Sequence, residues 1–262
     1  MSRGAYYNEL DPYAAQWLRN LIAAGHIAPG DVDERSIVNV RPDDLRGYRQ
    51  CHFFAGIGVW SYALRLAGWP DEEYVWTASL PCQPFSIAGG RLGFADDRHV
   101  WADFARLCEK RRPQRILGEQ VSSPDGLAWL DLILSGLETL GYACAAIVAT
   151  AAGVGAPHAR PRTYWVADTE RERVEGHGEG VSAGEAGPWG SFGEKDLHAI
   201  AASPHESGRC WPRPIVRKMG DGTTRCVGRL RAYGNAIVPQ VAAEFIRAYR
   251  EVRLNSTLGD NG

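Results

Sequence analysis

Residues 51–86 read CHFFAGIGVWSYALRLAGWPDEEYVWTASLPCQPFS, and this stretch decides the fold. Cys51 to Ala55 is a short apolar run of the kind a buried strand presents. Gly56-Ile57-Gly58 supplies a tight turn, and Val59 to Ala67 then places apolar residues at helical spacing until Gly68 and Pro70 stop it. Tyr74 to Leu80 is a second strand, ended by Pro81-Cys82-Gln83-Pro84. Strand, helix and strand within about 30 residues is the repeating unit of a parallel sheet.

The alternation continues outward. Toward the amino terminus, residues 11–24 read as a helix with Tyr13, Trp17, Leu18, Leu21 and Ile22 near one face, Asp11 as cap and Pro12 in the first turn. Toward the carboxyl terminus, Trp101 to Lys110 reads as a helix and Arg115 to Gly118 as a short strand ending at Glu119. Gly126 to Leu140 is a strongly apolar helix closed by Gly141, and Ala143 to Thr150 and Arg162 to Ala167 are strands. The expected class is α/β, a Rossmann-like, doubly wound, mostly parallel sheet.

Between Asp168 and Arg225 the chain turns to Gly, Ser, Pro, His and charge without periodicity, which reads as a small loop-rich region. Order returns at Leu230 to Pro239, a helix follows from Gln240 to Val252, and residues 255–262 read as a frayed tail. The expected division is therefore 1–167 plus 226–254 as one body, with 168–225 appended to it.

A chain of 262 residues suits one large domain with an appendage, and 45% hydrophobic with 23% charged residues excludes a disordered or collagen-like chain. The formal net charge of −2 means that any nucleic-acid contact rests on a local basic patch. Met1 to Glu9 carries no apolar signal core, and Tyr142 to Pro157, the longest apolar run, is too short and too rich in Ala and Gly to span a bilayer. Six cysteines without a CxxC pair argue against a zinc ribbon and a disulfide framework. The expectation is a soluble, reduced, intracellular protein with no membrane attachment and no obligate protein partner.

Five short blocks stand out as chemistry. Phe54-Ala55-Gly56-Ile57-Gly58 lies where a strand turns into a helix, so its backbone N–H groups can approach a ligand, although a plain tight turn reads the same way. Ser61 occupies the third-glycine position of a GxGxxG fingerprint, which disfavours a nicotinamide cofactor. Pro81-Cys82-Gln83-Pro84-Phe85-Ser86 sets a thiol in a rigid loop at a strand's carboxyl end, the edge where ligands sit in open α/β sheets. Cys108 and Cys144, inside helix and strand patterns, read as core. Glu119 follows a buried-looking strand and reads as a carboxyl whose pKa burial raises, or as a helix cap. Arg160-Pro161-Arg162 offers two guanidiniums on one side of an extended segment, for a carboxylate, phosphate or base edge, or simply for solvent. Gly234-Asn235-Ala236-Ile237-Val238-Pro239 leads into a helix, with Asn235 able to face a ligand or to shape the turn.

Taken in order, FAGIG, PCQPFS, a strand-end Glu, RxR and GNAIVP resemble the blocks of the DNA cytosine carbon-5 methyltransferases. The resemblance runs from Phe54 to Pro239. It implies transfer of a methyl group from S-adenosylmethionine to carbon 5 of a flipped-out cytosine in double-stranded DNA, through a covalent bond between Cys82 and carbon 6 of the base. By the same resemblance Glu119, Arg160 and Arg162 act on the base. Phe54, Ala55, Gly56, Ile57, Gly58, Pro81, Trp101, Asn235 and Ala236 line the cofactor, and Gln83 and Ser86 lie on a loop that closes over DNA. The location this implies is the cytoplasm of a prokaryotic or phage-infected cell. An RNA cytosine methyltransferase and a catalytically silent DNA-binding relative share the scaffold and stand as alternatives.

One part of the family order is displaced. Only 23 positions separate Gly58 from Pro81, too few for the ribose and adenine blocks that normally lie there. Tyr7-Asn8-Glu9-Leu10-Asp11-Pro12 resembles the ribose block and Gly30-Asp31-Val32 the adenine block. The expectation is a circularly permuted cofactor half. Glu9 and Leu10 then meet the ribose side, Asp31 and Val32 the adenine, and the helix Val59–Ala67 moves to the opposite face from the usual one to keep its crossover right-handed. Further departures from the family pattern are His52, Val59, Gln120 and His158. The region 168–225 takes the place of target recognition, and its His177, His198, His205 and Cys210 lack zinc-site spacing, so no metal is expected.

Overall fold

The computed structural model describes residues 3–81, 93–169 and 236–259, the side chains of 93–99 and 254–259 excepted. In chain order its elements are β1 (Ala5–Asn8), α1 (Pro12–Ala23), β2 (Gly30–Asp33), two 3-10 turns (Ile37–Asn39 and Pro42–Leu45), β3 (Gln50–Phe53) and α2 (Val59–Leu66). They continue as β4 (Val75–Ala78), α3 (Gly93–Arg111), β5 (Arg115–Val121), α4 (Pro124–Thr139), β6 (Ala143–Ala149), β7 (Arg162–Asp168) and α5 (Pro239–Gly259).

Local chemistry explains most of these bounds. The Asp11 carboxylate accepts from the amides of Tyr13 at 2.8 Å and Ala14 at 3.2 Å, and Pro12 needs no amide partner at the first helical position. Ser123 caps α4 in the same way through Gly126. Three expected elements are longer than their sequence suggests. α5 runs on to Gly259, through most of the tail expected to fray, rather than ending at Val252. α3 starts at Gly93 rather than Trp101. β5 runs on to Val121 because β7 pairs with it along its whole length, so Glu119 lies within the strand, opposite Tyr164, rather than after it.

The seven strands form one sheet in the order β2-β1-β3-β4-β5-β7-β6, with β1 to β5 mutually parallel and β7 antiparallel to both neighbours. The fold is the expected doubly wound sheet. Relabelling its first three strands cyclically turns the left half into the usual 3-2-1-4-5 order.

Both faces are covered. Tyr7, His52 and Thr77 sit side by side in register and therefore share a face, which is packed by α1 through Leu18, by α2 through Ser61 and Leu64, and by α5 through Val241 and Ala242. The opposite face carries Tyr6, Phe53 and Trp76 beneath Phe104 and Leu107 of α3, Ile133 of α4 and the two 3-10 turns.

This arrangement fixes the hand of each crossover. The β1-α1-β2 connection steps one way along the sheet with its helix on the Tyr7 face. The β2-to-β3 and β4-α3-β5 connections step the other way over the opposite face, so all three share one hand. The β3-α2-β4 connection also steps that second way, but α2 stays on the Tyr7 face, so its hand is reversed. Since parallel crossovers are right-handed in about 98% of cases, the odd one is left-handed. The expected move of α2 to the other face does not occur. The helix is pinned where it is: Ser61 Oγ bonds Tyr7 Oη at 2.9 Å and accepts from the Ala28 amide at 3.1 Å, and Trp60, Ala63 and Leu64 are buried with α5.

Candidate active site at the carboxyl edge of the sheet

The glycine turn follows directly from β3. Phe54, Gly56 and Gly58 all have positive φ, at 53°, 54° and 78°. For Phe54 that backbone is costly, a kind of strain that concentrates at functional sites. A side chain at Gly56 would meet nothing within 4 Å, so the turn leaves open space rather than a packed contact. The Gly56 amide donates to Glu9 Oε2 at 2.6 Å and the Asp11 amide to Glu9 Oε1 at 2.9 Å. Glu9 stands just beyond β1, next to β3 in the sheet, so the amino-terminal segment and the glycine turn meet although 47 positions separate Glu9 from Gly56. Each carboxylate oxygen keeps a further lone pair for a ligand hydroxyl.

Glu119 is the second centre. It is 8% exposed, and Arg162 Nε lies 2.8 Å from its Oε1. The antiparallel course of β7 explains the pairing: the first residue of β7 arrives at the edge where the parallel strands end, and Arg162 is the diagonal neighbour of Glu119. Burial pushes the Glu119 pKa above the ordinary carboxylate range, opposed by Arg162, Arg160 and a hydrogen bond from Ser79. Arg160 has a positive φ of 38°, not the extended backbone that the RxR spacing suggests, yet both guanidiniums act on Glu119. Arg160 Nη2 also donates to the Ala236 carbonyl at 2.8 Å, and burial lowers its pKa.

The end of β4 closes on the same place. The Gln120 side chain donates through Nε2 to the Leu80 carbonyl at 3.0 Å, and Trp60 Nε1 donates to Ser79 Oγ at 3.0 Å. The segment Ser79-Leu80-Pro81 is thus tied to both Glu119 and Gln120. Cys82, Gln83, Ser86 and Asn235 lie outside the described residues, as do residues 170–235 with their His177, His198, His205 and Cys210, and residues 260–262. A cleft of about 710 Å³ at this edge is lined by Ile57 and Val59 of the glycine turn, Arg160 and Arg162, and Ala236 and Ile237 of the last block.

Other candidates take different places. Asp31 lies inside β2, where Tyr48 Oη donates to it at 2.5 Å and Arg3 is 3.6 Å away. The acid at the carboxyl end of that strand is Asp33, held by Arg35 and by Tyr6 Oη at 2.7 Å. Val32 packs against the α1 cluster, and Leu10 is 64% exposed beside Glu9. Trp101 packs beside Phe104 and over Gly136 of α4. Cys108 is fully buried, as its pattern suggests, whereas Cys144 is only half-buried and packs against the core from its margin. Ser79, Trp60 and Tyr164 carried no motif signal, and their part emerges only from packing. Among the described residues no group of His, Cys, Asp and Glu could hold a metal, and no helix is long and apolar enough to cross a membrane.

Residues 69–185 match the family model of the C-5 cytosine-specific DNA methylases. Among curated proteins the chain is 31% identical over 109 residues to the Type II methyltransferase M.CviJI of Paramecium bursaria Chlorella virus IL3A, covering 40% of this chain and 30% of that protein. It is 30% identical over 162 residues to M.NaeI of Lentzea aerocolonigenes, covering 61% and 33%, and 38% identical over 101 residues to M.NlaX of Neisseria lactamica, covering 37% and 32%. The matched segments span about a third of each of these relatives. A solved Spodoptera frugiperda DNMT2 mutant superposes on 62% of this chain and 41% of its own, with a TM-score of 0.42 and 15% identity.

Proposed function

We propose that this chain transfers a methyl group from S-adenosylmethionine to carbon 5 of cytosine in duplex DNA. The observation that carries the reading is the position of Glu119, a buried carboxyl clasped by Arg162 and tied through Ser79 to the strand end that leads into Cys82. The cofactor fits the other side of the edge: a glycine turn with open space, and a carboxylate at Glu9 already oriented by two amides and able to accept ribose hydroxyls. Leu10 adds apolar surface beside it, and β2 offers the adenine side Val32 and, at its carboxyl end, Asp33 in place of the expected Asp31, which lies inside the strand against Tyr48. S-adenosylmethionine, when bound, supplies an electrophilic methyl group.

The protein side of the reaction follows from charge. Cytosine leaves the duplex stack at a cost of a few kcal/mol. The Cys82 thiolate adds to carbon 6, and the ring electrons move to carbon 5, which becomes nucleophilic. Glu119, whose proton affinity burial raises against the pull of Arg162 and Arg160, hydrogen-bonds N3 and shares a proton with it as charge builds on the ring. Arg162 and Arg160 hold that carboxyl and offset the charge. Once carbon 5 carries the methyl, its proton is lost to a base and the Cys82 sulfur is eliminated. Gln83 and Ser86 belong to the DNA-closing loop in this reading, with residues 168–225 for target recognition.

The cofactor half is, in the same proposal, a circular permutation of the family order. What supports it is the left-handed β3-α2-β4 crossover. If the chain instead ran from α2 into β1, that connection would step the other way over the same face and every crossover would share one hand. The reaction is tested by incubating the protein with methyl-tritiated S-adenosylmethionine and duplex DNA, then digesting to nucleosides. Label in 5-methyldeoxycytidine is expected. Label confined to RNA in a parallel arm, or absent from cytosine in every DNA tried, overturns the DNA reading.

A further inference from the structure

Trp60 is the second residue of the helix that follows the glycine turn, is 4% exposed, and lies edge-on to Tyr164 at 6.1 Å. Its indole N–H has one capacity, to donate, and it donates to Ser79 Oγ. A serine hydroxyl holds a single proton. With its oxygen occupied by the indole, that proton is directed to the neighbouring acceptor, the Glu119 carboxylate. We infer that Trp60 and Ser79 are positioning residues that orient and polarise a hydrogen bond to Glu119, joining the cofactor-side helix to the carboxyl that meets the base. The inference rests on the proposed role of Glu119 but concerns a link readable without cofactor or DNA.

The groups facing Glu119 are Arg160 and Arg162 at the start of β7, Tyr164 within it, and Ser79 at the end of β4. The two arginines and Ser79 favour the ionised carboxyl, while burial opposes it. Ser79 is the uncharged one of the three groups that favour the ionised form, and its contribution depends on where its one proton points. Donation from the indole to its oxygen also makes the hydroxyl a better donor.

The test is a titration of the Glu119 side-chain carboxyl by carbon-13 NMR in the free protein labelled at glutamate, assigned with Glu119→Gln. Ser79→Ala is expected to move the midpoint up by about one pH unit, because a donor to the ionised form is lost. Trp60→Phe is expected to move it up by less. The double variant should go no further than Ser79→Ala, and Ser79→Thr, which keeps the hydroxyl, should restore the wild-type midpoint. An unchanged midpoint in Ser79→Ala, or a Trp60→Phe shift that adds to it in full, overturns the inference. Should Ser79→Ala fail to fold, Trp60→Phe against Ser79→Thr decides: a shift in the first and none in the second supports the link, and no shift in either overturns it. Methyl transfer by the wild-type protein is measured separately, so an inactive enzyme with a responsive Glu119 faults the proposed reaction and not the link.

Discussion

The two halves of the sheet are built differently. On one side, β1, β2 and β3 are four-residue strands, out of the usual chain order, joined to the rest by a left-handed crossover. Their interior on the Tyr7 face is partly polar: Tyr7 bonds Ser61, His52 Nδ1 bonds Thr77 Oγ1 at 2.8 Å, and Gln50 reaches the Pro70 carbonyl at 3.2 Å. On the other side, β5, β6 and β7 are seven-residue strands in ordinary order, packed by large apolar side chains such as Trp165, Ile133 and Tyr164. Ligand groups still converge at one edge, because that edge is set by strand position in the sheet and not by chain order. The comparison also divides labour: the first half presents the glycine turn and Glu9, the second presents Glu119 and Arg162.

That division predicts separable defects. The largest is expected from Glu119→Gln, which should lower kcat by about 10²–10⁴-fold, the range for loss of a positioned acid, while leaving the affinity for S-adenosylhomocysteine within about threefold. Glu9→Ala should do the reverse, weakening that ligand by about 1–3 kcal/mol in calorimetry with the Glu119 NMR midpoint unmoved. An effect of Glu9→Ala confined to kcat would end the division.

The polar interior of the first half gives the next prediction. Burial lowers the His52 pKa to about 3, so the folded protein holds this ring neutral while the unfolded chain protonates it near 6.5. The depressed pKa means stability that is present above pH 6.5 and lost as pH falls toward 3. Between pH 6.5 and 5 this single group should cost about 1.5–2 kcal/mol in denaturant unfolding. His52→Gln should flatten that slope, and an unaltered slope would remove His52 as its source.

The smallest effect is expected from restoring the usual order. A chain running 48–68, a flexible linker, 3–47, a second linker and then 69–262 converts the left-handed crossover into a right-handed one. The Arg3 amide donates to the Gly47 carbonyl at 3.0 Å and the Val75 amide to the Arg49 carbonyl at 3.1 Å, so residues 3, 47 and the start of β4 share the amino edge of the sheet, and the two linkers run along that edge. Cofactor affinity should stay within about 1 kcal/mol, since loop closure changes slowly with length. Loss of binding in a folded product would contradict the permuted reading.

Much of this was readable from residues. Cap and stop signals placed α1 and α4, and Cys51 to Leu80 announced the parallel unit because glycines and prolines bound each element. What periodicity could not supply was partnership. The length of β5 depends on β7, so Glu119 read as following the strand when it lies inside it. The face of α2 depends on Ser61 meeting Tyr7, a contact across 54 positions that outweighed the handedness rule. Asp31 matched a motif, but the strand places Asp33 at its end, a register effect invisible before pairing was known.

The most direct test of convergence at this edge uses duplex DNA carrying 5-fluorocytosine, whose carbon-5 fluorine blocks the final elimination. With S-adenosylmethionine present, a covalent protein–DNA complex should accumulate, map by peptide mass to Cys82, and vanish in Cys82→Ala. A folded protein that binds the cofactor and methylates ordinary cytosine DNA, yet forms no such complex or forms it at another residue, would contradict the assignment of the thiol, the carboxyl and the glycine turn to one reaction centre.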